Sequence, residues 1–99
     1  MMETMLFDHA ESLSIAEMVN FNPSSEVGQE YISDTKSFNL NGFNKEEAYK
    51  IRFYLALGCF VWNEYLDNGK TVPDKVNDWY AINTDNASNE GFYSKSFAA

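Results

Sequence analysis

The sequence contains few of the residues from which catalytic and covalent sites are built. It has one cysteine, Cys59, and one histidine, His9, in 99 residues. A single cysteine excludes an intramolecular disulfide and a cysteine-based zinc site. The sequence also has no Gly-rich phosphate loop, no metal-spaced cluster of His, Asp and Glu, and no nucleophile triad. We therefore predict a protein that is not an enzyme and that holds no cofactor and no metal.

Neither of these two residues is expected to be reactive. Asp8, the acidic neighbour of His9, projects about 100° away around a helix and so does not orient the imidazole. Cys59 lies within an apolar stretch, where a thiol has a raised pKa and little reactivity. We interpret His9 as a surface residue and Cys59 as a core residue.

Basic residues are also scarce, and they are missing altogether from one end of the chain. Seven Lys and Arg oppose fifteen Asp and Glu, which gives a net charge of -8. Residues 1–35 contain seven acids and no Lys or Arg. This distribution opposes direct binding to nucleic acid or to an anionic membrane, because both require basic groups. We expect the partner to be a protein.

A long hydrophobic run is the third absence. The longest apolar stretch, residues 53–62, has ten residues, whereas a helix that crosses a bilayer needs about 20. Near the start, acids such as Glu3 and Asp8 occupy the region where an export signal carries basic residues. We therefore expect no membrane contact and a cytoplasmic location, the host cytoplasm if the protein is viral.

Hydrophobic periodicity predicts an all-α fold, a small single-domain bundle of about four helices over residues 1–82. The first helix, residues 4–20, has a predicted core face composed of Leu6, Ala10, Leu13 and Glu17, widened by Met18 and Val19. A cap at Ser24 or Ser25 begins the second helix, whose predicted core face contains Val27, Tyr31, Thr35 and Phe38. Residues 83–99 are predicted to form a polar C-terminal tail that is loose or packs through its aromatic residues.

The third helix is predicted to be the long central element of the bundle. Asn44 begins a capping box, and Asn68-Gly69 is a usual pair at a helix C-terminus. Since residues 53–62 are apolar on every side of the helix, other helices or a second subunit must cover them. A short fourth helix is expected after Pro73, and its core-facing residues are Val76, Trp79 and Tyr80.

Acidic residues at helical spacing are the clearest functional signal. Glu26, Glu30 and Asp34 fall at i, i+4 and i+8, so they line one helix face at intervals of about 6 Å. One interpretation is a solvated face that keeps the protein soluble. The other is a row of anions, joined by Glu17 of the first helix, that imitates a phosphate backbone. By the charge density of duplex DNA, the seven N-terminal acids correspond to about 12 Å of duplex, enough to occupy one basic groove.

Aromatic residues are numerous for a core of this size, with eight Phe, six Tyr and two Trp. Those of the third helix wind around it and cannot all face one side. Most are expected in the core. The remainder are candidates for a homodimer or partner surface, where Tyr and Trp are enriched, and the candidates are Tyr54, Trp62 and Tyr65.

In overall character, a short, acidic, Asn- and aromatic-rich helical domain without catalytic residues is similar to the small virus-encoded inhibitors that block host defence nucleases or DNA-binding machinery. The likeness is one of composition and assigns no residue. The first hypothesis is therefore an inhibitor or DNA mimic that occupies a basic nucleic-acid-binding cleft of a host protein. The alternative is a structural or regulatory interaction subunit, homodimeric through the third helix, whose acidity only confers solubility.

Overall fold

The computed structural model describes residues 9–80. In this range the chain forms no strand and four α-helices, which are α1 (His9–Met18), α2 (Glu26–Asp34), α3 (Lys45–Val61) and α4 (helical over residues 74–80). A 3-10 turn, Thr35–Ser37, continues α2, and a π-helical segment, Trp62–Leu66, continues α3. The predicted all-α bundle is confirmed. Residues 1–8 and the predicted tail, residues 83–99, lie outside the described residues.

Helix α3 supplies the centre of the hydrophobic core. Every residue from 53 to 59 is buried in the single chain, as is Val61. The Phe53 ring packs against Phe21 with 5.8 Å between centroids, and the Tyr54 ring packs edge-on against Trp79 at 6.1 Å. Burial of one such large apolar side chain contributes about 1.5–3 kcal/mol to folding. The remaining helices therefore pack around α3, as the run of apolar residues predicts.

Side-chain caps begin two of the helices where the sequence places them. The side chain of Ser25 accepts a hydrogen bond from the backbone N–H of Gly28, at 2.9 Å, ahead of α2. The Asn44 side chain accepts one from the backbone N–H of Glu47, at 2.7 Å, ahead of α3. Each bond satisfies an N–H group that has no partner within its helix, and loss of such a cap costs about 1 kcal/mol.

Helix α1 ends earlier than the expected position at residue 20, and the cause is Asn20 rather than Pro23. Asn20 adopts φ 60°, the left-handed conformation that Asn tolerates better than most residues. The following N–H, of Phe21, then donates to the carbonyl of Ala16 at 2.8 Å, and the N–H of Asn20 donates to Glu17 at 3.3 Å. This pair of bonds is the Schellman motif, which closes the helix and directs Phe21 into the core.

The predicted core face of α1 is wrong. Leu13 is 47% exposed and Met18 is 42% exposed, whereas the buried residues of this helix are Ser12, Ile15 and Ala16. The observed face lies roughly 140° around the helix from the predicted one. Ser12 and Ala16 are small and carry little hydrophobic signal, so the pattern misassigns them. On α2 the expected face is wrong at one position, because Val27 is 50% exposed.

Two close contacts hold α2 in place. A Cβ atom added to Gly28 would lie 2.0 Å from the carbonyl oxygen of Asn22, so only glycine allows this approach between α2 and the preceding loop. At the other end, the Arg52 guanidinium of α3 donates to the carbonyls of Thr35 and Phe38. The rigid fork of the guanidinium fits two carbonyls at once, and it satisfies groups at the C-terminus of α2.

Candidate functional site

The four acidic residues singled out by the sequence are all on the surface. Glu17 lies on α1, and Glu26, Glu30 and Asp34 follow one another along α2, with each side chain exposed. We call these four residues the acidic surface. Between residues 9 and 35 the described chain has no Lys or Arg, so no base from α1 or α2 neutralises it.

A cleft of about 310 Å³ adjoins this surface, between α2 and the π-helical segment. We call it the α2 cleft. Its lining combines one apolar residue, two neutral polar residues and three acids, and consists of Val27, Glu30, Tyr31, Asp34, Asn63 and Glu64. Part of the predicted acidic row therefore faces a concave site instead of open solvent. Glu17 and Glu26 are not among the residues that line it.

Tyr31 connects the two walls of the cleft. Its hydroxyl donates to Oε2 of Glu64 at 3.2 Å and accepts a hydrogen bond from Nδ2 of Asn63 at 3.4 Å. Partial burial raises the pKa of Tyr31, and the nearby Glu64 carboxylate raises it further, while the Asn63 bond acts in the opposite direction. The phenol therefore stays protonated at neutral pH and remains a donor to Glu64.

The π-helical segment places Glu64 and Asn63 at the cleft. The N–H of Asp67 bonds to the carbonyl of Trp62, five residues earlier, at 2.7 Å. The wider turn changes the direction of the side chains relative to a regular helix, and such segments are frequent at functional sites. A further anchor is Tyr65, whose hydroxyl donates to the carbonyl of Val19 at 2.9 Å.

Sequence reasoning missed Glu64 and Asn63 as site residues. Glu64 is 33 positions from Tyr31 in the chain, so no local spacing connects it with the acidic row of α2. No pattern in the sequence predicts the π-helical turn either. Only the packing of α2 against α3 brings the third carboxylate into the site.

Cys59 lies behind the cleft and is not a reactive group. Burial raises the pKa of its thiol to about 12, and the negative charge of Asp34 adds to the shift. A thiol with this pKa is almost wholly protonated at neutral pH and is a poor nucleophile. The interpretation of Cys59 as a core residue therefore agrees with its place in the fold.

The three aromatic candidates are not brought together on one exposed surface. Tyr54 is 3% exposed and belongs to the core. Trp62 is half-buried and its ring lies 6.0 Å from that of Tyr80, while Tyr65 is half-buried through its bond to α1. Coverage of α3 by a second subunit is not required to bury its apolar residues, and dimerisation stays a prediction.

The sole histidine is not a free surface residue as expected. His9 is half-buried, and its ring packs edge-on against Phe53 with 5.5 Å between centroids. In the part of the chain that the structure describes, no three His, Cys, Asp or Glu side chains lie close enough to hold a metal ion. No helix in that part is long and apolar enough to cross a membrane.

Comparison with known proteins gives no relative from which a role can be transferred. No protein-family model matches the chain. No curated protein and no solved structure matches it either.

Proposed function

We propose that the protein is a non-catalytic inhibitor that binds, through its acidic surface and the α2 cleft, to a basic nucleic-acid-binding site of a protein partner. In this role it acts as a partial DNA mimic in the cytoplasm. A virus-encoded protein directed against a host defence or nucleic-acid-handling protein is the form of this function that we favour.

The observation that carries the proposal is the arrangement of charge on α2. Glu30 and Asp34 are exposed, face the same cleft as Glu64, and have no ion-pair partner within residues 9–80. Like charges at i, i+4 spacing destabilise a helix by a few tenths of a kcal/mol. A concave site that keeps three acids close to one another is poorly explained by solubility, for which dispersed charges are sufficient.

The magnitude of the charge limits what can be imitated. Seven uncompensated acids in residues 1–35 correspond to about 12 Å of duplex, roughly one groove contact and not an extended strand. The expected partner surface is therefore a compact basic site. Electrostatic attraction between the two surfaces accelerates association and weakens as salt screens it, over a Debye length of about 8 Å at physiological ionic strength.

The full-length chain offers a direct test once a partner is isolated from the native host. Binding of the partner to labelled duplex DNA or RNA is measured with increasing amounts of this protein. We expect competitive displacement that weakens steeply between 50 and 300 mM salt, roughly the range over which phosphate contacts are lost. Simultaneous binding of nucleic acid and this protein to the partner contradicts the proposal.

The alternative, a dimeric interaction subunit, predicts the opposite dependence. In that case truncation of an exposed or half-buried aromatic residue such as Trp62 abolishes binding, whereas neutralisation of acids has little effect. The two functions are thus distinguished by which class of substitution weakens the complex.

A further inference from the structure

The α2 cleft has a shape and an apolar wall as well as charge. Val27, one wall residue, is 50% exposed. The ring of Tyr31 lies at the boundary between cleft and core, since it packs edge-on against Phe60 with 5.6 Å between centroids. An exposed valine does not help solubility, so the lining is suited to a ligand that has both apolar carbon and positive charge.

The hydrogen-bonding capacity of the cleft defines the charged part of that ligand. Each ionised carboxylate accepts hydrogen bonds at two oxygens, and three carboxylates line the site, from Glu30, Asp34 and Glu64. Only one of these oxygens, Oε2 of Glu64, accepts from another side chain that lines the cleft. The site therefore presents many free acceptors and, among its lining residues, no cationic donor.

We propose that the α2 cleft receives an arginine side chain of the protein partner. A guanidinium carries five N–H donors in a planar fork that matches carboxylates in pairs, and it stacks on aromatic rings. Its aliphatic stem covers apolar surface such as Val27. A lysine ammonium provides three donors at one point and is more strongly hydrated, so it uses these acceptors less completely.

The volume of the cleft agrees with one side chain. About 310 Å³ is at the lower limit of the range for small-molecule pockets, which is roughly 300–1,000 Å³. The inference rests on the proposed function, because it identifies which group of the basic partner enters the site. It adds a prediction of specificity, since charge alone does not separate arginine from lysine.

The test uses the full chain and two small probes, N-acetyl-arginine methylamide and N-acetyl-lysine methylamide, whose only charge is on the side chain. Titration followed by two-dimensional NMR of the backbone amides gives both the affinity and the location of binding. We expect the arginine probe to shift the amides of Val27, Tyr31 and Asn63, with an affinity at least about fivefold above that of lysine.

Two triple variants separate the cleft from general charge. Glu30→Gln, Asp34→Asn and Glu64→Gln together should abolish the response to arginine. The control changes three exposed acids elsewhere, Asp67→Asn, Asp74→Asn and Asp78→Asn, and should retain it. Each variant removes the same number of charges, so a difference between them is due to the site.

Several outcomes overturn the assignment. Equal affinity for both probes, or equal loss in the two triple variants, shows that only net charge matters. Tighter binding of spermidine than of the arginine probe assigns the cleft to a free polyamine. If a partner competes with nucleic acid for this protein but the arginine probe does not bind, the inference fails and the proposed function stands. If the probe binds but no competition occurs, the proposed function fails instead.

Discussion

The hydroxyl of Tyr31 donates to Oε2 of Glu64 across 3.2 Å, and this bond joins α2 to the π-helical segment that follows α3. It connects the two walls of the α2 cleft at residues that are 33 positions apart. The acidic row of α2 therefore contributes to a site whose geometry depends on a turn in a different helix.

Removal of this hydroxyl tests how firmly the walls are joined. Tyr31→Phe should lower the free energy of unfolding by about 1 kcal/mol, because a partly exposed hydrogen bond is lost while the ring contacts remain. Urea denaturation measures the change. Tyr49→Phe is the control, since Tyr49 is 49% exposed on α3 and should change stability by less than about 0.5 kcal/mol. Equal effects of the two substitutions would show that the Tyr31 bond does not stabilise the fold.

The close approach at Gly28 gives a second prediction about the placement of α2. Gly28→Ala introduces a Cβ atom 2.0 Å from the Asn22 carbonyl oxygen, and the resulting shift of α2 should cost about 1–3 kcal/mol. Gly42→Ala is the matched control, because no atom lies within 4 Å of its added Cβ. Thermal unfolding should separate the two variants clearly, and a Gly28→Ala protein as stable as the control contradicts the described contact.

The Arg52 fork gives a third prediction. Lysine at this position keeps the charge but does not reach both carbonyls of Thr35 and Phe38 in the same geometry, so Arg52→Lys should cost about 1–3 kcal/mol. The amide of Phe38, which donates to the Thr35 carbonyl, should exchange with solvent faster. Lys75→Arg, at an exposed position, is the control. Unchanged exchange at Phe38 in the Arg52 variant would assign the fork no role in holding α2.

High pH should destabilise the protein through its buried acidic hydrogens. Burial raises the pKa of Cys59 to about 12 from 9.0 and also raises the pKa values of Tyr31 and Tyr54. These groups lose protons in the unfolded chain at a lower pH than in the folded one, so their contribution is complete below about pH 9 and is lost as the pH rises. The free energy of unfolding should fall above pH 9 by up to about 1.4 kcal/mol per pH unit for each proton.

Cys59→Ala checks the origin of this dependence. The variant loses core packing, so its absolute stability falls, but its slope between pH 9 and 10 should be shallower than that of the unaltered chain. A slope that is the same in both proteins means that the thiol is not the group that titrates there.

The sequence predicts those features of this fold that local chemistry determines. Caps at Asn44 and at Asn68-Gly69 locate α3, and Gly69 has the expected positive φ, at 70°. The core face of α1 is mispredicted because Ser12, which is fully buried, reads as polar in a sequence pattern. The α2 cleft is missed because it requires a long-range contact to Glu64, for which the sequence contains no local signal.

The most direct test of the proposed function is a charge reversal on α2. Glu26, Glu30 and Asp34 are changed together to Lys, and the control reverses Asp67, Asp74 and Asp78, which are equally exposed and add the same six charge units. Circular dichroism confirms that both variants remain helical. The association rate with the isolated partner is then measured at low salt and at physiological salt.

The account predicts that the α2 reversal slows association at low salt by about tenfold or more, whereas the control, in a region where Lys70 and Lys75 already offset the acids, changes it much less. The difference should shrink as salt is added. An α2 reversal that leaves the association rate and the affinity unchanged at low salt contradicts the account, and identifies the acidic surface as a solvated face only.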